Sequence, residues 1–236
     1  EFATKLAAGM VEVADQDDID YTAYSGKFLQ ILSDAITGFD PKDEENWSVE
    51  YQMLTLIRFL AANDVGGWEA LAHRALQLDA DYLPGSVFVI LADNGIRPTS
   101  KECKLVLQSR YSRESAVFWA LENERLDILP AKYRKHDFIA EVALDYALEE
   151  YPDQVELVEK RRVIYLGEAQ WLYVYKFAFE GETDWTLGFS GPFPIDGELE
   201  QSYFDLAGSN WEEFHPNSYV RKTKAWVKEI EEYSEE

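Results

Sequence analysis

Three histidines, His73, His136 and His215, set the limit on acid–base and metal chemistry in this 236-residue chain. His73, the His136-Asp137 pair and Asp145 fall in segments of helical periodicity. Imidazoles and carboxylates together form a donor set able to hold divalent metals for phosphate-ester hydrolysis. The periodicity argues against their convergence. Over 138–147 the apolar stripe runs through Phe138, Ile139, Val142 and Tyr146, which leaves Asp137, Glu141 and Asp145 on the opposite face at four-residue steps. His73 lies off the stripe of Trp68, Leu71 and Ala75. Metal ligands of a helical protein project into its interior, so these residues read as a solvated face.

The His/His-Asp/Asp pattern is nevertheless similar to that of helical phosphohydrolases of the HD type. A metal-dependent hydrolase using His73, His136 and Asp137 is therefore the alternative reading. Other chemistry is weaker. Gly188-Phe189-Ser190-Gly191-Pro192 has proline where a nucleophile elbow needs its last glycine, although His215 lies downstream. Asp15, Asp17, Asp18 and Asp20 have calcium-loop spacing, but Asp20 takes the place of the turn glycine and no glutamate closes the loop. There is no P-loop and no G-x-G-x-x-G. No catalytic, cofactor-binding or metal-ligating residue, and no cofactor, is expected.

Charge narrows the partner. Forty-five acidic against 22 basic side chains give a net charge of −23. Residues 1–50 hold 12 acidic and 3 basic side chains, the steepest imbalance along the chain. Such a surface repels nucleic acid and anionic membrane over about a Debye length and favours a partner with a basic surface. It also permits mimicry of nucleic acid, by which the chain would fill a basic groove. Cys103 is the only cysteine, so no internal disulfide forms, and the expected compartment is reducing, most simply the cytoplasm. No apolar run reaches the roughly 20 residues of a membrane helix. The opening, without an initiator Met, reads as the start of a fragment or an appended junction.

The elements follow from periodicity. Phe28, Leu32 and Ile36 predict one helix; Val49, Met53, Leu56, Ile57 and Leu60 a second, closed by Gly66-Gly67; and Trp68, Leu71, Ala72 and Ala75 a third. The apolar run 86–92 after Pro84 reads as either a buried helix or a short strand, and its helical neighbours favour the helix. Thr99-Ser100-Lys101-Glu102 is a capping box that opens another helix, and Ser112 starts one through Ala116 and Trp119. Lys160-Arg161-Arg162 reads as cations in a last helical turn. From Gln170 to Phe179 the period changes to two, a turn follows at 180–184, and Trp185–Phe189 returns. Residues 190–197 read as a rigid loop, and 219–233 as an amphipathic C-terminal helix.

Hydrophobic side chains make up 47% of the chain, enough for a sizeable core. Aromatics are concentrated late: residues 163–236 carry 4 of the 7 Trp, 6 of the 14 Tyr and 6 of the 13 Phe. The expected fold class is α+β, a multi-helix array or bundle followed by a small aromatic-rich β-hairpin or sheet with a C-terminal helix, forming one continuous structure. Residues 1–18 are expected to be an appended or flexible acidic leader, 19–160 a helical scaffold, and 161–236 a small unit packed on it. The expected function is a non-enzymatic protein–protein interaction module, regulatory or inhibitory within a larger protein. Trp185, Phe189 and Trp211 are its candidate protein-binding anchors, because exposed aromatics dominate interface energetics.

Overall fold

The computed structural model describes residues 2–17, 21–43, 46–135, 138–139 and 141–142, and four backbone strands between residues 155 and 214. Seven α-helices occupy the first part of the chain: α1 (Phe2–Asp17), α2 (Ser25–Thr37), α3 (Asn46–Ala62), α4 (Trp68–Ala75), α5 (Leu83–Asp93), α6 (Ser100–Gln108) and α7 (Arg113–Glu122). Helix α3 is central and packs against α1, α2, α4 and α5. Its buried face is accordingly wide, taking in Met53, Leu56, Ile57, Leu60 and Ala61. Phe28, Leu32 and Ile36 of α2 meet it at four-residue spacing, with the Phe28 and Phe59 rings edge to face at 5.5 Å. Val87, Phe88 and Leu91 of α5 and Val106 and Leu107 of α6 continue the core.

Helix ends are set by local chemistry. Helix α3 stops where Asp64 turns left-handed at φ 48°, with Val65 N–H donating to the Leu60 carbonyl. The Gly66-Gly67 pair comes later, and Gly67 is the N-cap of α4. Helix α5 ends the same way, with Gly95 at φ 74° and Ile96 N–H donating to the Leu91 carbonyl at 2.8 Å. That left-handed position suits glycine, and the bond pattern is a Schellman stop.

The start of α5 is built from distant parts. The buried carboxylate of Glu50 on α3 accepts from the backbone N–H of Asp81 (3.2 Å), Tyr82 (3.0 Å) and Leu83 (2.8 Å). An anion thus satisfies donors that a helix N-terminus otherwise leaves open, and it lies at the positive end of the dipole. Ser112 Oγ donates to the Asp81 carbonyl at 2.6 Å. At Gly85 an added Cβ would stand 2.5 Å from the Ser112 carbonyl oxygen and 2.9 Å from its Cα, so only glycine lets the two backbones approach this closely.

The structure corrects the expected fold class. The described residues of 3–133 are all-helical, with no strand among them, so the α+β reading does not hold for the region that carries the packed core. The chain divides into two compact units, Glu1–Ala120 with Asp127–Pro130, and Leu121–Leu126 with Ala131–Glu236. Residues 2–17 form α1, with Thr4, Ala7, Ala8 and Val11 buried, so this segment is a packed helix.

In the second unit the backbone forms β1 (Val155–Tyr165), β2 (Gln170–Phe179), β3 (Trp185–Pro194) and β4 (Glu212–Phe214), antiparallel in the order β1-β2-β3-β4. Lys160–Arg162 therefore lie in a strand and not at a helix terminus, and 190–194 are strand where a loop was expected. The register of β2 on β3 slips between Trp171 and Tyr173, opposite Gly191-Pro192, where proline has no N–H for the ladder. The expected C-terminal helix over 219–233 lies outside the described residues.

Candidate functional site

The sequence-predicted residues are placed unevenly. Trp185 and Phe189 are in β3, Trp185 opposite Ala178 and Phe214, and Phe189 opposite Val174. Their side chains, and Trp211 altogether, lie outside the described residues, as do His136, Asp137 and Asp145. Among the described residues no three His, Cys, Asp or Glu side chains group closely enough to hold a metal ion. No helix among them is long and apolar enough to cross a membrane.

His73 is part-buried, with 30% of its side chain exposed. From the last turn of α4 it pairs with Glu102 in the first turn of α6, Nδ1 to Oε1 at 3.0 Å. The other carboxylate oxygen of Glu102 accepts from Thr99 N–H and from its hydroxyl, each at 2.8 Å, while Glu102 N–H donates to Thr99 Oγ1 at 3.3 Å. The capping box is thus complete. Burial alone would raise the Glu102 pKa, but the Thr99 bonds and His73 together hold it below its ordinary 4.5. The carboxylate is ionised at neutral pH, so Nδ1–H donates. A carboxylate that orients an imidazole is one part of a catalytic triad, yet here the pair ties two helix ends together. The nearby Cys103 thiol is buried, and burial pushes its pKa up, so it is a poor nucleophile.

The surface feature least explained by packing is on α3. Trp47 is 71% exposed and Tyr51, one turn later, 55% exposed. Residues four apart on a helix are neighbours on its surface, so the two rings make one aromatic face. Both lie off the buried stripe. Glu50 between them turns inward to the start of α5, which brings α5's N-terminal Tyr82 backbone to the same helix. The Tyr82 ring is 51% exposed and packs on Tyr111 with centroids 5.4 Å apart.

The first turn of α3 also borders an open cleft of about 300 Å³ between α1, α2 and the 38–43 connection. Ile31, Ala35, Phe39 and Val49 supply apolar wall, and Asp34, Asp40 and Asp43 supply carboxylates. Asn46 and Val49 line it from the helix that carries Trp47 and Tyr51. An apolar wall with several anionic groups suits a cationic group on an aliphatic stem. The rings were legible in part: Trp47 and Tyr51 share a helical face that the Val49–Met53–Leu56 stripe does not use. The cleft was not legible, since its walls come from three separate segments. No family model matches the chain, and no curated protein or solved structure shows significant similarity to it.

Proposed function

We propose that the chain is a protein-interaction module, regulatory or inhibitory in character rather than catalytic, that engages another protein through the aromatic face of α3. The observation that carries this reading is the exposure of Trp47 and Tyr51 side by side on a helix whose other face is fully packed. Tryptophan and tyrosine are the residues most enriched at binding hot spots, and an indole left in water on a rigid helix is already organised for contact. The charge of −23 supports a partner with a basic surface and not a nucleic acid. Trp185, Phe189 and Trp211 remain candidates for a second contact from the aromatic-rich C-terminal region. The lone buried thiol of Cys103 supports a reducing compartment such as the cytoplasm.

The test is affinity capture from native cells at physiological salt with the wild-type chain and a Trp47→Ala/Tyr51→Ala variant, followed by binding of the identified protein in purified form. The reading expects one stoichiometric partner whose affinity drops at least tenfold in the variant, because truncating a central aromatic typically costs 2 kcal/mol or more. A purified partner that binds both forms equally overturns it.

A further inference from the structure

We propose that the cleft between α1, α2 and the 38–43 connection receives an arginine side chain from a basic segment of the partner protein. The inference rests on the docking reading above and names the chemistry of what docks.

The three walls of the cleft match the three parts of an arginine. Ile31, Ala35 and Val49 offer apolar contact for its methylene stem. Asp34, at the end of α2, and Asp40 and Asp43, on the connection to α3, place carboxylates around the opening. A planar guanidinium carries five N–H donors in a fixed fork and bonds to more than one carboxylate at once. Phe39 in the wall offers an aromatic face on which that plane can stack. A lysine ammonium would meet the same charges, but it is compact, strongly hydrated and does not stack. At about 300 Å³ the cleft is at the small end of ligand sites, sized for one side chain and not for a cofactor. The cations nearest in sequence, Lys5 and Lys42, are exposed and do not line it. Residues 1–50 hold the densest negative charge in the chain, which draws a basic segment to this end.

The carboxylates can be neutralised without undoing the fold. Asp34 Oδ1 accepts from Gln30 Nε2 at 2.8 Å, and Asp40 Oδ1 accepts from Lys42 N–H at 3.0 Å. An asparagine oxygen accepts both bonds equally well, so Asp34→Asn/Asp40→Asn removes two charges and keeps the local geometry.

The experiment is a titration of the full isotope-labelled chain with a nona-arginine peptide, followed by two-dimensional NMR at about 100 mM salt, with nona-lysine as comparison. The expected shifts are confined to the cleft lining, residues 3–4 and 31–49. Nona-arginine should bind at least fivefold tighter than nona-lysine, and Asp34→Asn/Asp40→Asn should weaken it at least tenfold. Glu69→Gln/Asp79→Asn, which neutralises two exposed carboxylates away from the cleft, should leave affinity within twofold. Shifts spread over the whole acidic surface, equal binding of the two peptides, or an unaffected cleft variant each overturn the proposal. If the peptide result is negative while partner binding still depends on Trp47, the arginine assignment falls and the docking face stands. If partner binding is also independent of Trp47, the docking reading itself falls.

Discussion

Replacing Glu50 by alanine should destabilise the helical unit by about 3 kcal/mol, although no surface or chemical site is touched. Glu50 is 6% exposed and holds three backbone donors at the start of α5. The bond to Leu83 N–H is fully buried, and hydrogen bonds to a charged group contribute about 1.5–3 kcal/mol. The bonds to Asp81 and Tyr82 lie nearer solvent, where water replaces the carboxylate, and each is worth about 0.5 kcal/mol. Loss of the favourable charge at the helix N-terminus adds a few tenths more. Glu50→Gln keeps one acceptor oxygen but turns an amide NH2 toward N–H groups, so roughly half the loss is expected. Urea unfolding followed by helical circular dichroism reads the effect. With a slope near 2 kcal/mol/M, the alanine midpoint should fall by about 1.5 M at unchanged slope. A loss below about 0.5 kcal/mol for Glu50→Ala would refute the reasoning, because it would mean that water caps α5 as well as the carboxylate does.

Gly85→Ala should lower stability by about 1–3 kcal/mol in the same assay, since the new Cβ meets Ser112 backbone that cannot swing aside; on helix propensity alone the change would stabilise by about 1 kcal/mol. The Glu102 carboxyl is held below its ordinary 4.5 in the folded state, so the unfolded chain takes up the proton first on acidification. Its contribution is present above about pH 4.5 and is lost as pH falls through the lower folded value; thermal melts from pH 3 to 6 should show a slope that Glu102→Gln reduces. The buried Cys103 thiol, its pKa raised by burial, should react with a thiol reagent only at the rate of local or global unfolding; immediate stoichiometric labelling of native protein would contradict its placement. Trp47→Ala should leave the melting midpoint within about 1 °C, whereas Phe88→Ala, in the fully buried core, should cost about 3–5 kcal/mol.

What the sequence disclosed were interactions local along the chain. The Thr99–Glu102 box spans three residues, and the stripes of α2, α3 and α4 repeat every three or four, so each element is written within one window. Helix α1 was hidden because its buried positions, Thr4, Ala7, Ala8 and Val11, are small, and the aspartates that follow drew the eye to a leader. The Glu50 cap joins residues 31 to 33 apart, and the Gly85–Ser112 approach spans 27. Nothing local marks either, since a buried glutamate and an exposed one look alike in sequence. The same limit applied to His73, whose partner Glu102 is 29 residues away. For the site, composition pointed to the aromatic-rich C-terminal third, while the two most exposed rings among the described residues, Trp47 and Tyr51, are on α3, where the periodicity alone could have placed them. The fold-class expectation went wrong at a different level. Alternation and helical period identify single elements, but they do not assign the class of the region, and the described residues of 3–133 are all-helical.

The central claim is that α3 carries the docking face, and site-specific photocross-linking tests it most directly. A benzophenone side chain at position 47 or 51, with position 105 on α6, also solvent-exposed, as control, should in native cells yield one discrete protein adduct from 47 and 51 and none from 105. The same adduct from all three positions, or none from 47 and 51, would contradict the account.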